Sequence, residues 1–213
     1  MRRRLGARPG VRVVTTGMGP AAAAGAAAAQ LDGRVVVVVV AGVAGGCHPT
    51  LETGTVVVAE RLCDLAGHPL DAPPPPSRVV ATVLGAAPPA VAGLVASGDA
   101  VVDDPAARAR LAAAGVLAVE TEAAGWAPAC LRAGVPLVVV RAILDTPARP
   151  LGAAAGLVEP GGDRPSPRRL LGLAGRPAAW ASLPRLARAA ALAERRAACA
   201  VAAVLDGLQR RRG

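Results

Sequence analysis

Two strongly apolar runs, Val35–Ala41 and Pro136–Ile143, the second broken only by Arg141, constrain the fold of this chain more than any other feature. Neither alternates as a half-exposed strand does, and each is bounded like a strand buried on both faces. Such strands need cover on both sides, and the neighbouring segments can provide it. Ala21–Gln30 and Thr121–Ala133 read as helices, the second closed by Gly134. A third helix is expected from an N-cap at Asp103 or Asp104 through Ala114, with Pro105 in its first turn. Further strands are expected at Val11–Thr16, Gly54–Glu60, Arg78–Leu84 and Val116–Val119, and a short helix at Pro88–Ala96. The alternation predicts an α/β fold of three α/β/α layers around a mostly parallel or mixed central sheet.

The 213 residues suit a single domain spanning 1–213. The chain is 53% hydrophobic but 1% aromatic, with no Phe or Tyr, so its core is expected to consist of Val, Leu and Ala. Residues 146–181 are rich in Pro and Gly without a hydrophobic period and read as a long surface loop of the lid kind. Residues 182–212 read as a basic C-terminal helix with an apolar stripe over Leu183–Leu208.

The net charge of +9 is not spread evenly. Residues 1–163 carry 13 Arg against 13 acids, whereas residues 164–213 carry 11 Arg against Glu194 and Asp206. With no aromatic interleaving and no finger spacing, no nucleic-acid partner is expected. The basic helix has two readings: a solvated face that caps the sheet or joins a homodimer, which is favoured, or a peripheral contact with anionic membrane. Cys47, Cys63, Cys130 and Cys199 form no CxxC pair, so neither a metal site nor a disulfide framework is expected, and the chain reads as cytoplasmic.

Three constellations could carry chemistry. Gly17-Met18-Gly19-Pro20-Ala21-Ala22 is a glycine turn leading into a helix, but no acid follows at the end of the next strand, which argues against a dinucleotide site. Gly42-Val43-Ala44-Gly45-Gly46 closes the first buried run, either as a plain tight turn or to let a ligand approach the backbone. Glu120-Thr121-Glu122 opens a helix, while Arg141 and Asp145 close the second buried run. Charges there are costly unless paired or functional, and open α/β sheets place ligands at such strand ends.

In order from Gly17 to about Pro147, these segments resemble the purine and uridine phosphorylase superfamily, which includes methylthioadenosine/S-adenosylhomocysteine nucleosidase. The resembling segments are Gly17-Met18-Gly19-Pro20, Gly42-Val43-Ala44-Gly45-Gly46, Leu94-Val95-Ala96-Ser97-Gly98-Asp99, Val119-Glu120-Thr121-Glu122 and Val140-Arg141-Ala142-Ile143-Leu144-Asp145. The form of the central glycine loop and the basic C-terminal helix look closest to the hopanoid-associated phosphorylase branch, thought to remove adenine from adenosylhopane. The resemblance implies cleavage of the N-glycosidic bond of a purine nucleoside. Asp145 would protonate or hydrogen-bond the purine near N7, Glu122 would hold the ribose hydroxyls, and Arg141 would orient Glu122 or the nucleophile. Gly17, Gly19, Gly42, Ala44, Gly45, Ser97, Val101 and Thr121 would line the substrate. No metal or redox cofactor is implied, and inorganic phosphate is the one candidate co-substrate.

The chain also departs from the family pattern. Thr121 stands where the family usually has Met, and Val101 where an aromatic residue commonly stacks on the base. No room precedes Val11–Thr16 for the family's first strand and its acid-bearing loop, so an enzyme impaired by N-terminal truncation is expected. Val40 and Val43 stand where phosphate-binding relatives often carry Arg and Ser, which favours water as the nucleophile. The alternative is a catalytically degenerate relative that binds a nucleoside or nucleotide and keeps only the fold. Adjacent Cys47 and His48 are expected to diverge, and Trp126 and Trp180 to pack rather than stack on a base.

Overall fold

The computed structural model describes residues 8–86, 89–152, 155 and 177–209, with side chains from residue 183 onward in the last segment. Its strands are β1 (Val38–Gly46), β2 (Val56–Cys63), β3 (Ala90–Ser97), β4 (Val116–Glu120) and β5 (Leu137–Asp145). The helices are α1 (Pro20–Gln30), α2 (Ser77–Leu84), α3 (Pro105–Ala113), α4 (Ala123–Ala133) and α5 (Pro177–Gln209).

The expected α/β fold with a mixed sheet is what the chain adopts. The strand order β1-β4-β3-β2-β5 closes on itself, because β5 also pairs with β1, so the sheet is a five-stranded barrel. Pairs β1/β5, β2/β3 and β3/β4 are parallel, and β2/β5 and β1/β4 are antiparallel. Closure removes the open edges that a flat sheet would leave unpaired.

The apolar character of β5 around Arg141 has a direct cause. Leu137, Val139 and Ile143 join a core with Ala23 and Ala27 of α1 and Ala123, Trp126 and Ala127 of α4. The intervening Val138 and Val140 join a second core with Val79, Val80 and Val83 of α2 and Ala200 and Val204 of α5. Both faces of the strand are therefore buried against different helices. In α5 the apolar stripe docks on the barrel, while Arg185, Arg188 and Arg195 remain exposed. Among the described residues, no helix is long and apolar enough to cross a membrane.

Three expected elements differ. Val11–Thr16 forms no strand, and its Val11 and Val13 pack beside Val201 and Leu205 of α5. Arg78–Leu84 is a helix: Val79, Val80 and Val83 are buried at helical spacing, which overrides the strand preference of β-branched residues. The segment expected to be a helix over Pro88–Ala96 instead contains β3, parallel to both β2 and β4. Its small residues serve close packing, since a Cβ on Gly93 would lie 2.7 Å from Leu117 Cδ1. Most of the Pro/Gly-rich segment expected over 146–181 lies outside the described residues, as do residues 210–212 of the expected basic helix.

Candidate active site

The site begins with α4. Glu120, the last residue of β4, turns its carboxylate onto the start of that helix and accepts hydrogen bonds from Glu122 N at 3.0 Å and Ala123 N at 3.0 and 3.1 Å. Ser97, at the end of β3, accepts from Ala124 N at 2.8 Å. Two side chains from neighbouring strands thus satisfy the first helical N–H groups, which have no partner within the helix. This fixes Glu122 at the helix entrance, partly open to solvent.

Arg141 on β5 lies beneath it, almost fully buried. Its Nη2 is hydrogen-bonded to the Glu120 carboxylate and, at 2.6 Å, to Glu122 Oε2. The other oxygen, Glu122 Oε1, accepts from Thr121 Oγ1 at 2.6 Å. Burial works against the charged guanidinium, but the Glu120 and Glu122 carboxylates outweigh it and hold the Arg141 pKa above its ordinary value. Arg141 Nε is buried with no hydrogen-bond partner among the described residues.

Asp145 makes a separate pair. Its carboxylate meets Arg108 Nη2 from α3, and both side chains are almost fully buried. Arg108 also donates through Nε to Val102 O at 2.7 Å and through Nη1 to Gly46 O at 3.4 Å. Burial pushes the Asp145 pKa above the usual carboxylate value, and the Arg108 charge offsets only part of that rise.

The central glycines explain how two guanidinium groups fit beside β1. Gly42 pairs with Arg141 across the β1/β5 ladder, and a Cβ on it would lie 2.6 Å from Arg141 Nη1. Gly45 pairs with Asp145, and a Cβ there would lie 2.8 Å from Arg108 Nη2. The segment is part of a strand, not the plain tight turn that was one reading of it, and its missing side chains make room for the protein's own arginines. Ala44 is buried in the core between them. Gly19 precedes Pro20 at the start of α1, and Gly125 of α4, three residues after Glu122, packs against Ala23. That contact brings the first glycine turn, Gly17 to Gly19, towards the Glu122 end of α4. Val101 is exposed in the irregular chain before α3.

The structure therefore brings Glu122, Arg141 and Thr121 together, and couples Asp145 to Arg108. Glu120 and Arg108 are partners that the sequence reading did not single out. Glu120 had a signal, being an acid just ahead of a helix, and so did Arg108, which lies three residues before buried Leu111 on the inner face of α3. Cys47, which adjoins Arg108 and Asp145, is a buried thiol pushed up to about 11 by burial. His48 turns outward to Thr50, so the adjacent pair diverges as expected. Among the described residues, no group of three or more His, Cys, Asp or Glu side chains is placed to hold a metal ion. Two clefts, one beside Arg61, Leu70 and Pro73 and one over Arg110 and Leu65, are lined by none of Glu122, Arg141 and Asp145.

Residues 4–161 match the family described as the phosphorylase superfamily. The chain belongs to that superfamily. Among solved structures it is similar to the 5′-methylthioadenosine/S-adenosylhomocysteine nucleosidase of Colwellia psychrerythraea in complex with adenine, at 26% identity and a TM-score of 0.64, over 92% of this chain and 77% of that one. The Helicobacter pylori methylthioadenosine/S-adenosylhomocysteine nucleosidase matches at 24% identity and a TM-score of 0.55, over 61% of this chain and 64% of that one. Futalosine hydrolase of the same organism matches at 19% identity and a TM-score of 0.64, over 90% and 77%. The chain thus spans just under two thirds of the H. pylori nucleosidase and about three quarters of the other two. At the level of the family, the expected superfamily and enzyme class are borne out.

Proposed function

We propose that this protein cleaves the N-glycosidic bond of a purine nucleoside, releasing adenine. Bond cleavage develops positive charge on the sugar and requires the leaving purine to gain a proton. Glu122 accepts hydrogen bonds from the ribose hydroxyls and favours the developing charge. Arg141 and Thr121 hold its two oxygens, so the carboxylate is oriented before substrate arrives. Asp145 supplies the proton near purine N7, and its burial favours keeping that proton available. The observation that carries the reading is the Glu122–Arg141 clamp, built at the start of α4 in a chain of this superfamily.

Water is the proposed nucleophile, because Val40 and Val43 stand where phosphate-binding relatives often carry Arg and Ser. Arg141 Nε, buried without a partner among the described residues, has an N–H to offer an oxygen of water or, in the second route, of phosphate. Methylthioadenosine, S-adenosylhomocysteine and adenosylhopane are the proposed substrates, Gly17, Gly19, Gly42, Ala44, Gly45, Ser97, Val101 and Thr121 the proposed lining, and a cytoplasmic homodimer the proposed form. Contact of the exposed α5 arginines with anionic lipid belongs to the adenosylhopane proposal.

A catalytically degenerate, nucleoside-binding relative is the second reading. It is favoured by one observation: Asp145 is already engaged by Arg108. Release of the purine base from a panel of nucleosides, read as adenine from methylthioadenosine, S-adenosylhomocysteine and adenosylhopane and as hypoxanthine from inosine, separates the two. Free ribose sugar as product identifies water as the nucleophile, and the 1-phosphate identifies phosphate.

A further inference from the structure

We propose that Arg108 is a positioning residue for the acid, holding Asp145 at the end of β5 and, together with Asp103, setting the pH range over which it can give a proton. The proposal rests on the reading of Asp145 as the proton donor.

The geometry gives Arg108 a fixed place. Each of its three nitrogens has an acceptor: Nε on Val102 O, Nη1 on Gly46 O and Nη2 on Asp145. The side chain is 1% exposed, and Gly45 leaves the space its Nη2 occupies. The helix carrying it is anchored by Asp104, whose carboxylate accepts from Ala106 N and Ala107 N at 3.2 and 3.0 Å. A guanidinium held this firmly cannot swing away without leaving two carbonyl oxygens short of a donor.

Asp103 makes Arg108 a shared group. Its Oδ1 lies 3.9 Å from Arg108 Nη2. The same carboxylate accepts from Leu151 N at 3.1 Å and Gly152 N at 3.0 Å, just after the turn closed by Thr146 and Arg149. The chain leaving β5 is thus tied back across the acid to the segment that carries Arg108. The ionisable groups acting on Asp145 are Arg108 from α3, Asp103 ahead of α3, and Cys47 at the end of β1. Cys47 is neutral across the working range, so the positive charge of Arg108 opposes the negative charge of Asp103. Arg108 favours release of the Asp145 proton and Asp103 favours its retention.

The test pairs a titration with an activity profile. Asp145 is followed through its carboxyl carbon signal in ¹³C-aspartate-labelled protein, assigned by its loss in Asp145→Asn. In Arg108→Met the midpoint is expected to rise by about 1 to 3 pH units, and the alkaline limb of adenine release to move upward with it. Arg108→Lys, which keeps the charge and loses the fork, is expected to move both less. Asp103→Asn is expected to move both downward. If Arg108→Met does not fold, the opposite movements in Arg108→Lys and Asp103→Asn carry the test. A purely structural Arg108 would lower the melting temperature and leave the Asp145 midpoint unmoved in every folded variant; that result overturns the proposal. If the wild type releases no adenine, the reading of the site fails, while the carboxyl titration still decides the role of Arg108.

Discussion

At the scale of single residues, five charges account for the site: Glu120 and Glu122 around Arg141, and Asp145 against Arg108. Removing one partner from a buried pair leaves the other uncompensated. Arg141→Met is therefore expected to lower the unfolding free energy by about 3 to 5 kcal/mol, measured by urea denaturation. Glu122→Gln differs, because Glu122 is partly exposed and the Arg141–Glu120 pair survives. It should fold like wild type and lose most of its adenine release. Asp145 has a raised pKa, and the sign of its pH dependence follows. A proton donor fails as pH climbs through that raised midpoint, so adenine release should fall on the alkaline side. The unfolded chain gives up the same proton at a lower pH. The stability contribution of protonated Asp145 is therefore lost between the unfolded and the folded midpoint as pH rises. Urea midpoints of wild type and Asp145→Asn, compared across that window, should diverge in this direction.

At the scale of elements, α1 and α4 set the entrance to the site through their contact at Gly125. A Cβ there would meet Pro20 O and lie 2.8 Å from Ala23 Cβ, atoms fixed in a neighbouring helix that cannot move aside as the tip of a flexible side chain could. Gly125→Ala should cost about 1 to 3 kcal/mol in urea denaturation, and should reduce adenine release by shifting Glu122. The same scale shows what the sequence reveals. β1 and β5 are legible because helices cover both their faces, which leaves only Arg141 and Asp145 as polar positions in the two strands. α3 and α4 are legible from Asp104 and Gly134. The segment 78–84 misleads because seven residues rich in Val carry both a strand preference and a helical burial pattern. β3 misleads because Ala90, Ala92 and Gly93 are chosen for close packing, and small residues say little about the backbone. Glu122, Arg141 and Asp145 stand out as charges beside apolar runs. Arg108 shows in the sequence only as a residue one turn before Leu111, and its pairing with Asp145 is not legible because it joins residues 37 apart.

At the scale of the whole molecule, barrel closure brings the ends of β3, β4, β5 and β1 around one region, so the site draws on four strands and two helices without needing an aromatic residue. Among the described residues, Arg185, Arg188 and Arg195 lie exposed on α5. The central claim is that the assembled carboxylates cleave a nucleoside, and chromatographic measurement of adenine released from methylthioadenosine by wild type and Asp145→Asn tests it most directly. The account predicts release by the wild type and a loss of about 100- to 10,000-fold in Asp145→Asn. Equal release by both proteins, or none by a folded wild type on any nucleoside of the panel, would contradict it.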